Sequence, residues 1–98
     1  MNTYVILRRR EWSSPEALER ATAESKRVGE EEMSDDVRWI RSYVLDEGGV
    51  SVGTVCIYQA TSADKVREHD TRAGLAVAEV IRVIDTVVMR PDPEPTPA

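Results

Sequence analysis

Two strand–helix–strand units follow one another in this chain, and their order is what most restricts its fold. Strands are predicted where β-branched and apolar residues alternate with polar ones, and helices where a serine cap precedes apolar residues at helical spacing. The elements predicted in this way are, in chain order, a strand over 3–10, a helix over 15–31, strands over 37–45 and 50–59, a helix over 63–73 and a strand over 78–88. Because such crossovers are short and right-handed, this order predicts an α+β domain of ferredoxin-like architecture (β-α-β-β-α-β), a four-stranded antiparallel sheet with both helices on one face.

Residues 1–89 are predicted to form this single domain, and residues 90–98 a disordered tail. The 98 residues of the chain suit one small hydrophobic core. From Pro91 onward every second residue is proline, a pattern typical of extended segments that continue neither a sheet nor a helix. The tail is therefore expected to add nothing to the core.

Both faces of the predicted sheet carry apolar residues, although the helices cover only one. Strict alternation on the second strand gives one face with Trp39, Arg41 and Tyr43 and the other with Arg38, Ile40, Ser42 and Val44. The third and fourth strands also have aliphatic residues on both sides. A bare apolar face needs a partner, so the sequence predicts self-association, most simply a homodimer whose sheets pack face to face.

Charge and cysteine content exclude several function classes. The net charge is −5, and the one basic cluster, Arg8 to Arg10, alternates between the two faces of a strand, which argues against a nucleic-acid partner. A single cysteine, Cys56, excludes an intrachain disulfide, an iron–sulfur cluster and the usual structural zinc sites. The lone thiol, the absence of a long apolar run and an N-terminus unlike a signal peptide predict a cytoplasmic protein without a membrane partner.

His69 and Cys56 are the two side chains best suited to metal chemistry. His69 is the only histidine and lies near the inward stripe of the second predicted helix. It is either a structural histidine bonded to a carbonyl or carboxylate, or a metal ligand or acid–base group. Its neighbour Asp70 is expected to point to another side of the helix. Cys56 is either a small core residue or a soft ligand, since no adjacent base in the sequence activates the thiol.

Three aromatic side chains are candidates for lining a pocket. Tyr58 shares a strand face with Cys56, and Tyr43 and Trp39 lie on the neighbouring strand. Aromatic residues at this spacing also fit a core or an interface. Tyr43 and Tyr58 are therefore kept as candidate cofactor-binding residues.

Three segments, VRWIRSYV, CIY and VREHDTRAG, together resemble a bacterial family of small ferredoxin-like proteins that includes a nickel-binding protein. The resemblance covers roughly residues 3–87. It implies a dimeric or larger assembly and nickel as the cofactor. The family's histidine falls on His69, and its strand cysteine and tyrosine fall on Cys56 and Tyr58. Imidazole and thiolate are donors that suit nickel or copper.

Two departures from the family pattern bear on any metal site. The segment over 45–55 is longer here and contains three glycines, of which Gly53 predicts a bulge or a close approach of another backbone segment. Where the family has an aromatic residue and a proline after the glycine that ends the second helix, this chain has Leu75 and Ala76. Both changes affect the surroundings of the candidate residues.

Three functions remain open at this stage. The first is a non-enzymatic oligomer that binds nickel or another ligand, with His69 and Cys56 as metal ligands. The second is an enzyme of the dimeric α+β barrel kind, with a polar pocket lined by His69, Tyr43 and Tyr58. The third is a structural or regulatory oligomer without a site. No nucleotide-binding or hydrolase motif decides among them.

Overall fold

The computed structural model describes residues 1–76 and 78–95 and has the predicted element order. Its elements are β1 (Asn2–Trp12), α1 (Pro15–Arg27), a π-helical turn (Val28–Glu32), β2 (Val37–Asp46), β3 (Val52–Ala60), α2 (Ala63–Arg72) and β4 (Glu79–Arg82). The strands form one antiparallel sheet in the order β2-β3-β1-β4. The α+β, β-α-β-β-α-β architecture predicted from the sequence is confirmed.

The core lies between the sheet and the helical layer. Tyr4 and Ile6 of β1 pack with Tyr58 of β3, Val28 of the π-helical turn and Val66 of α2, and all five are nearly or fully buried. No helix in the described part of the chain is long and apolar enough to span a membrane.

The first helix begins as the sequence predicts and changes its winding before its predicted end. The Ser14 hydroxyl accepts a hydrogen bond from the Ala17 amide at 3.1 Å, and Pro15 occupies the first helical position. After Arg27 the α-helix gives way to the π-helical turn, in which the Met33 amide donates to the carbonyl of Val28, five residues back. This wide turn places Gly29 against the rest of the fold.

Two irregularities in the sheet set which side chains share a face. On β3, Gly53 lies so close to a bulge in β1 that a Cβ atom there would collide with the Arg8 carbonyl, as the sequence predicts. On β2, Ile40 is an extra residue. Trp39 pairs with Tyr58, and Arg41 pairs with Ile57, the residue just before Tyr58 on β3, so Ile40 has no partner of its own. The strict alternation predicted for β2 is therefore wrong beyond Trp39.

The bulge at Ile40 redistributes the side chains of β2. Ser42 is opposite Cys56 and joins Trp39 on the helix-covered face. Arg41 and Tyr43 lie on the other face, which we call the open face. Its central members on the other three strands are Val5, Leu7, Val55, Ile57 and Ile81.

The last strand is shorter than the predicted 78–88 because β1, the strand with which it pairs, begins only at Asn2. β4 pairs with β1, and the Val83 amide donates to the Thr3 carbonyl at 2.9 Å, near the start of β1. Beyond this point no strand in the described chain remains to pair with, and Ile84 is 91% exposed. Farther on, the Asp92 carboxylate contacts Arg41 and accepts a hydrogen bond from the Tyr43 hydroxyl at 2.7 Å. Residues 96–98 of the predicted tail lie outside the described residues, and the domain boundary at residue 89 stays a prediction.

Candidate functional site

A cavity of about 430 Å³ lies between the first helix and β2. Trp39 and Tyr58 form its aromatic wall: their rings are nearly parallel, at 15°, with centroids 5.9 Å apart. The rim is formed by exposed polar residues of α1, the π-helical turn and β2, and His69 of α2 borders the interior. A cavity of this size accommodates a small organic molecule.

His69 is fixed in one orientation by a backbone carbonyl. Its side chain is 1% exposed, and Nε2 lies 2.9 Å from the Ser25 carbonyl oxygen of α1. Because that carbonyl only accepts, Nε2 donates to it, and Nδ1 is the ring nitrogen that this hydrogen bond leaves unused. The ring is tilted against Tyr58 with centroids 5.4 Å apart. The hydrogen bond to a carbonyl is what the structural alternative predicted.

The free nitrogen of His69 faces a carboxylate. Nδ1 is buried, has no hydrogen-bond partner among the described residues, and lies 3.7 Å from Asp70 Oδ1. The expectation that Asp70 points away from His69 is wrong. Asp70 turns inward because its carboxylate accepts a hydrogen bond at 2.5 Å from the buried Arg8 guanidinium.

Arg8 connects this pair to a second carboxylate, that of the partly buried Glu11. Nη1 of Arg8 donates to the Ala76 carbonyl at 3.2 Å and lies 3.9 Å from Glu11 Oε2, which has no hydrogen-bond partner among the described residues. Burial raises the pKa of Glu11 above its ordinary value of 4.5; Arg8 lowers this pKa and Asp70 raises it further, and the net shift is upward.

We expect Glu11→Gln to stabilise the protein near neutral pH. A carboxyl whose pKa is raised by folding binds its proton more tightly in the folded state, so stability falls as pH rises above its ordinary pKa of 4.5. Urea unfolding at neutral pH should show the variant more stable than the natural sequence, and the gap should close in acid. Glu19→Gln, on the exposed side of α1, is the control and should open no such gap. A gap that is equal at both pH values contradicts the assignment.

Cys56 borders a different, smaller cavity of about 50 Å³ that it shares with Tyr58 but not with His69. Its sulfur accepts a hydrogen bond from Ser42 Oγ at 2.9 Å and lies 3.5 Å from Thr54 Oγ1, and the side chain is buried. Trp39 Nε1 donates to the same Ser42 oxygen at 2.7 Å. Cys56 thus packs in the core, at the end of a chain of hydrogen bonds.

Tyr43 lies outside both cavities. It is on the open face, half exposed, and its hydroxyl donates to Asp92. The structure therefore brings Tyr58 and His69 together and separates them from Tyr43. The single polar pocket lined by all three side chains, which the enzyme hypothesis requires, does not form.

The comparisons with known proteins agree with this fold. A family model described as nickel responsive protein SCO4226-like matches residues 4–83. The chain belongs to this family. The crystal structure of SCO4226 from Streptomyces coelicolor A3(2) is similar to it, with a TM-score of 0.66 and 18% sequence identity over 87% of this chain and 99% of that chain. No curated protein matches the sequence.

The family description implies nickel, and the described residues do not form a preformed site for it. They contain no group of three or more histidine, cysteine, aspartate or glutamate side chains placed to hold a metal ion. His69 Nδ1 and Asp70 Oδ1 are two donors side by side, fewer than a nickel ion takes. Within the described part of one chain, the donor set is incomplete.

Sequence reasoning found part of the cavity and missed its rim. Trp39, Tyr58 and His69 were candidates because aromatic and titratable side chains are conspicuous in a chain of this composition. Lys26 and Arg38 line the cavity as well, but nothing distinguishes them from other charged surface residues in the sequence. The cavity that they line forms only when the first helix and the π-helical turn pack over the sheet.

Proposed function

We propose that this protein is a small, non-enzymatic oligomer that binds nickel, with His69 as the anchoring donor. The observation that carries the proposal is His69 Nδ1, a buried nitrogen without a hydrogen-bond partner among the described residues. A buried polar atom left unsatisfied costs free energy, so such an atom in a native fold calls for a ligand or a function. The family's description as nickel responsive supplies the identity of the metal.

Asp70 is the second donor in this proposal. Its carboxylate lies 3.7 Å from His69 Nδ1 and accepts a hydrogen bond from Arg8. A nickel ion held by both donors would compete with the Arg8 guanidinium for this carboxylate. The remaining ligands would come from water. Cys56 remains a further candidate ligand, to be tested separately.

We expect chelator-treated protein to bind nickel in a calorimetric titration, and His69→Gln to bind it at least about tenfold more weakly. Glutamine keeps a donor near the position of Nε2, which the Ser25 carbonyl requires, and lacks the free nitrogen. Cys56→Ser shows whether the thiol contributes. Equal nickel affinities of the natural protein and His69→Gln, or no binding to either, would remove the proposal.

A second readout needs no variant. Because His69 is the only histidine in the chain, its ring protons give an unambiguous NMR signal. Binding of paramagnetic nickel at Nδ1 should broaden these signals at low metal-to-protein ratios, before signals from the exposed Glu19 region of α1 change. Broadening confined to the surface places the metal elsewhere.

The oligomer that we propose is a homodimer joined through the open faces. Val5 is flanked there by Ile57 and Ile81, so the middle of the face is aliphatic and no helix of the described chain covers it. Two such faces bury each other in an isologous arrangement, the simplest closed assembly.

The remaining expectations stay proposals. We propose a cytoplasmic protein without nucleic-acid or membrane partners, supported by the single buried thiol and the net charge of −5. We also propose that residues 90–98 are dispensable for folding, since the family match ends at residue 83.

A further inference from the structure

The segment that follows β4 connects the two edges of the sheet. β4 ends at Arg82 on one edge, whereas the Asp92 carboxylate pairs with the Arg41 guanidinium of β2, the strand at the other edge. The Tyr43 hydroxyl, also of β2, donates to the same carboxylate at 2.7 Å. Both β2 side chains lie on the open face. Residues 84–92, which we call the strap, therefore pass from edge to edge on the side of the open face.

The strap is anchored level with the centre of this face. Arg41 pairs with Ile57, Ile57 with Val5, and Val5 with Ile81, so these residues form one row across the four strands. Asp92 is held at the end of this row. A second copy of the chain that packs face to face needs the space above the same row, because Val5 is at the middle of the proposed interface.

The strap is held through Asp92, while the apolar side chains of its middle contribute little. They are 71–91% exposed: Ile84, Val87, Val88 and Met89. The strap can reach about 30 Å when extended, whereas three strand spacings separate the two edges by only about 14 Å. It therefore has slack to arch over the face, and Ile81 and Tyr43 stay 47% exposed. A better-packed occupant can displace such a loose cover.

We propose that the strap is an internal competitor of dimerisation. When Asp92 is bound to Arg41 and Tyr43, the strap occupies the open face of its own chain, and it must open before a second copy can pack there. The inference rests on the homodimer proposed above. It assigns a role to a segment that contributes nothing to the core.

The strength of the latch predicts adjustment of the dimer affinity, not its loss. An exposed ion pair with one hydrogen bond to a carboxylate favours the closed strap by about twofold to fivefold. Each dimer requires two open straps. Because the affinity falls with the competent fraction of each copy, the two latches together weaken the dimer by about tenfold to thirtyfold.

Sedimentation equilibrium of full-length variants measures this competition. Asp92→Ala removes both latch contacts and should lower the dissociation constant of the dimer by about tenfold or more. Glu94→Ala is the matched control. It removes the same charge close by, from a carboxylate that makes no ion pair with a described residue, and should leave the constant unchanged. An Asp92→Ala dimer that is no tighter than that of the natural protein overturns the proposal.

A spin label detects the closed strap without reference to the dimer. Cys56 is buried, so a nitroxide attached at Glu94→Cys labels the tail selectively. In dilute protein it should broaden the amide signals of Arg41 and Ile57, and adding Asp92→Ala should restore them. Mixing spin-labelled chains with isotope-labelled chains that lack the nitroxide shows whether a strap lies on a neighbouring copy. No broadening within the labelled chain, or broadening only in the mixture, contradicts the proposal.

Together the two measurements separate the failure of the strap from the failure of the homodimer. Broadening that depends on Asp92, in a protein that stays monomeric in every variant, removes the homodimer and the competition with it. A dimer whose dissociation constant does not respond to Asp92→Ala leaves the homodimer standing and removes only the role of the strap.

Discussion

Replacing Arg8 with methionine is expected to lower the free energy of unfolding by about 3–5 kcal/mol. Arg8 is 5% exposed, and its guanidinium donates to Asp70 at 2.5 Å and to the Ala76 carbonyl at 3.2 Å. Methionine fills much of the same space but leaves the Asp70 carboxylate buried without its cation. An uncompensated buried charge costs far more than the ion pair contributes when intact, so the loss is large.

Urea unfolding measures the loss of stability. Two further variants show whether this loss comes from the unpaired Asp70 carboxylate. Arg20→Met changes an exposed arginine in the same way and should alter stability by less than about 0.5 kcal/mol. The double variant Arg8→Met with Asp70→Leu removes the orphaned charge and should recover much of the loss. If Arg8→Met is no more destabilising than Arg20→Met, the buried pair does not have the role assigned to it.

The order of the elements was predictable because local chemistry specifies each of them. Ser14 and Ser62 cap the two helices through their hydroxyls, and period-two alternation marks the strands. The close approach at Gly53 was also predictable, since a glycine inside an apolar strand gives up packing area and usually marks a bulge or a nearby backbone. These signals act over a few residues and need no knowledge of the rest of the chain.

The features that could not be predicted from the sequence depend on contacts between residues that are distant in the chain. The bulge at Ile40 is a property of the pairing between β2 and β3, and one inserted residue reverses every later side chain on β2. β4 stops at Arg82 because β1 begins at Asn2, not because of anything in the residues that follow. Asp70 turns toward His69 because Arg8, 62 positions earlier, meets it in the core.

The candidate site likewise has some residues that the sequence identified and others that it did not. His69 and Tyr58 were identifiable from residue type, since the sole histidine and a tyrosine on a buried strand are few and distinctive. The prediction that Tyr43 joins them rested on strict alternation and failed with the bulge. The cavity itself exists only after the first helix and the π-helical turn have packed over the sheet. A concave site built from ordinary surface residues has no signature in a single sequence.

Val5→Lys is expected to convert the proposed homodimer into a monomer. Val5 is at the middle of the open face, directly opposite Ile57 on one side and Ile81 on the other. In a monomer the lysine amine reaches water from this face. In an isologous dimer two such amines are brought together and removed from water near the symmetry axis, so we expect the dissociation constant to rise at least about a hundredfold, roughly 2.7 kcal/mol. Light scattering coupled to size exclusion, at protein concentrations of tens of micromolar, measures the mass directly.

The control makes the same chemical change where no interface is proposed. Val50 lies in the turn between β2 and β3 and is 70% exposed, so Val50→Lys should leave the assembly unchanged. A monomeric natural protein at these concentrations contradicts the dimer outright, and a dimer that survives Val5→Lys places the interface on another surface.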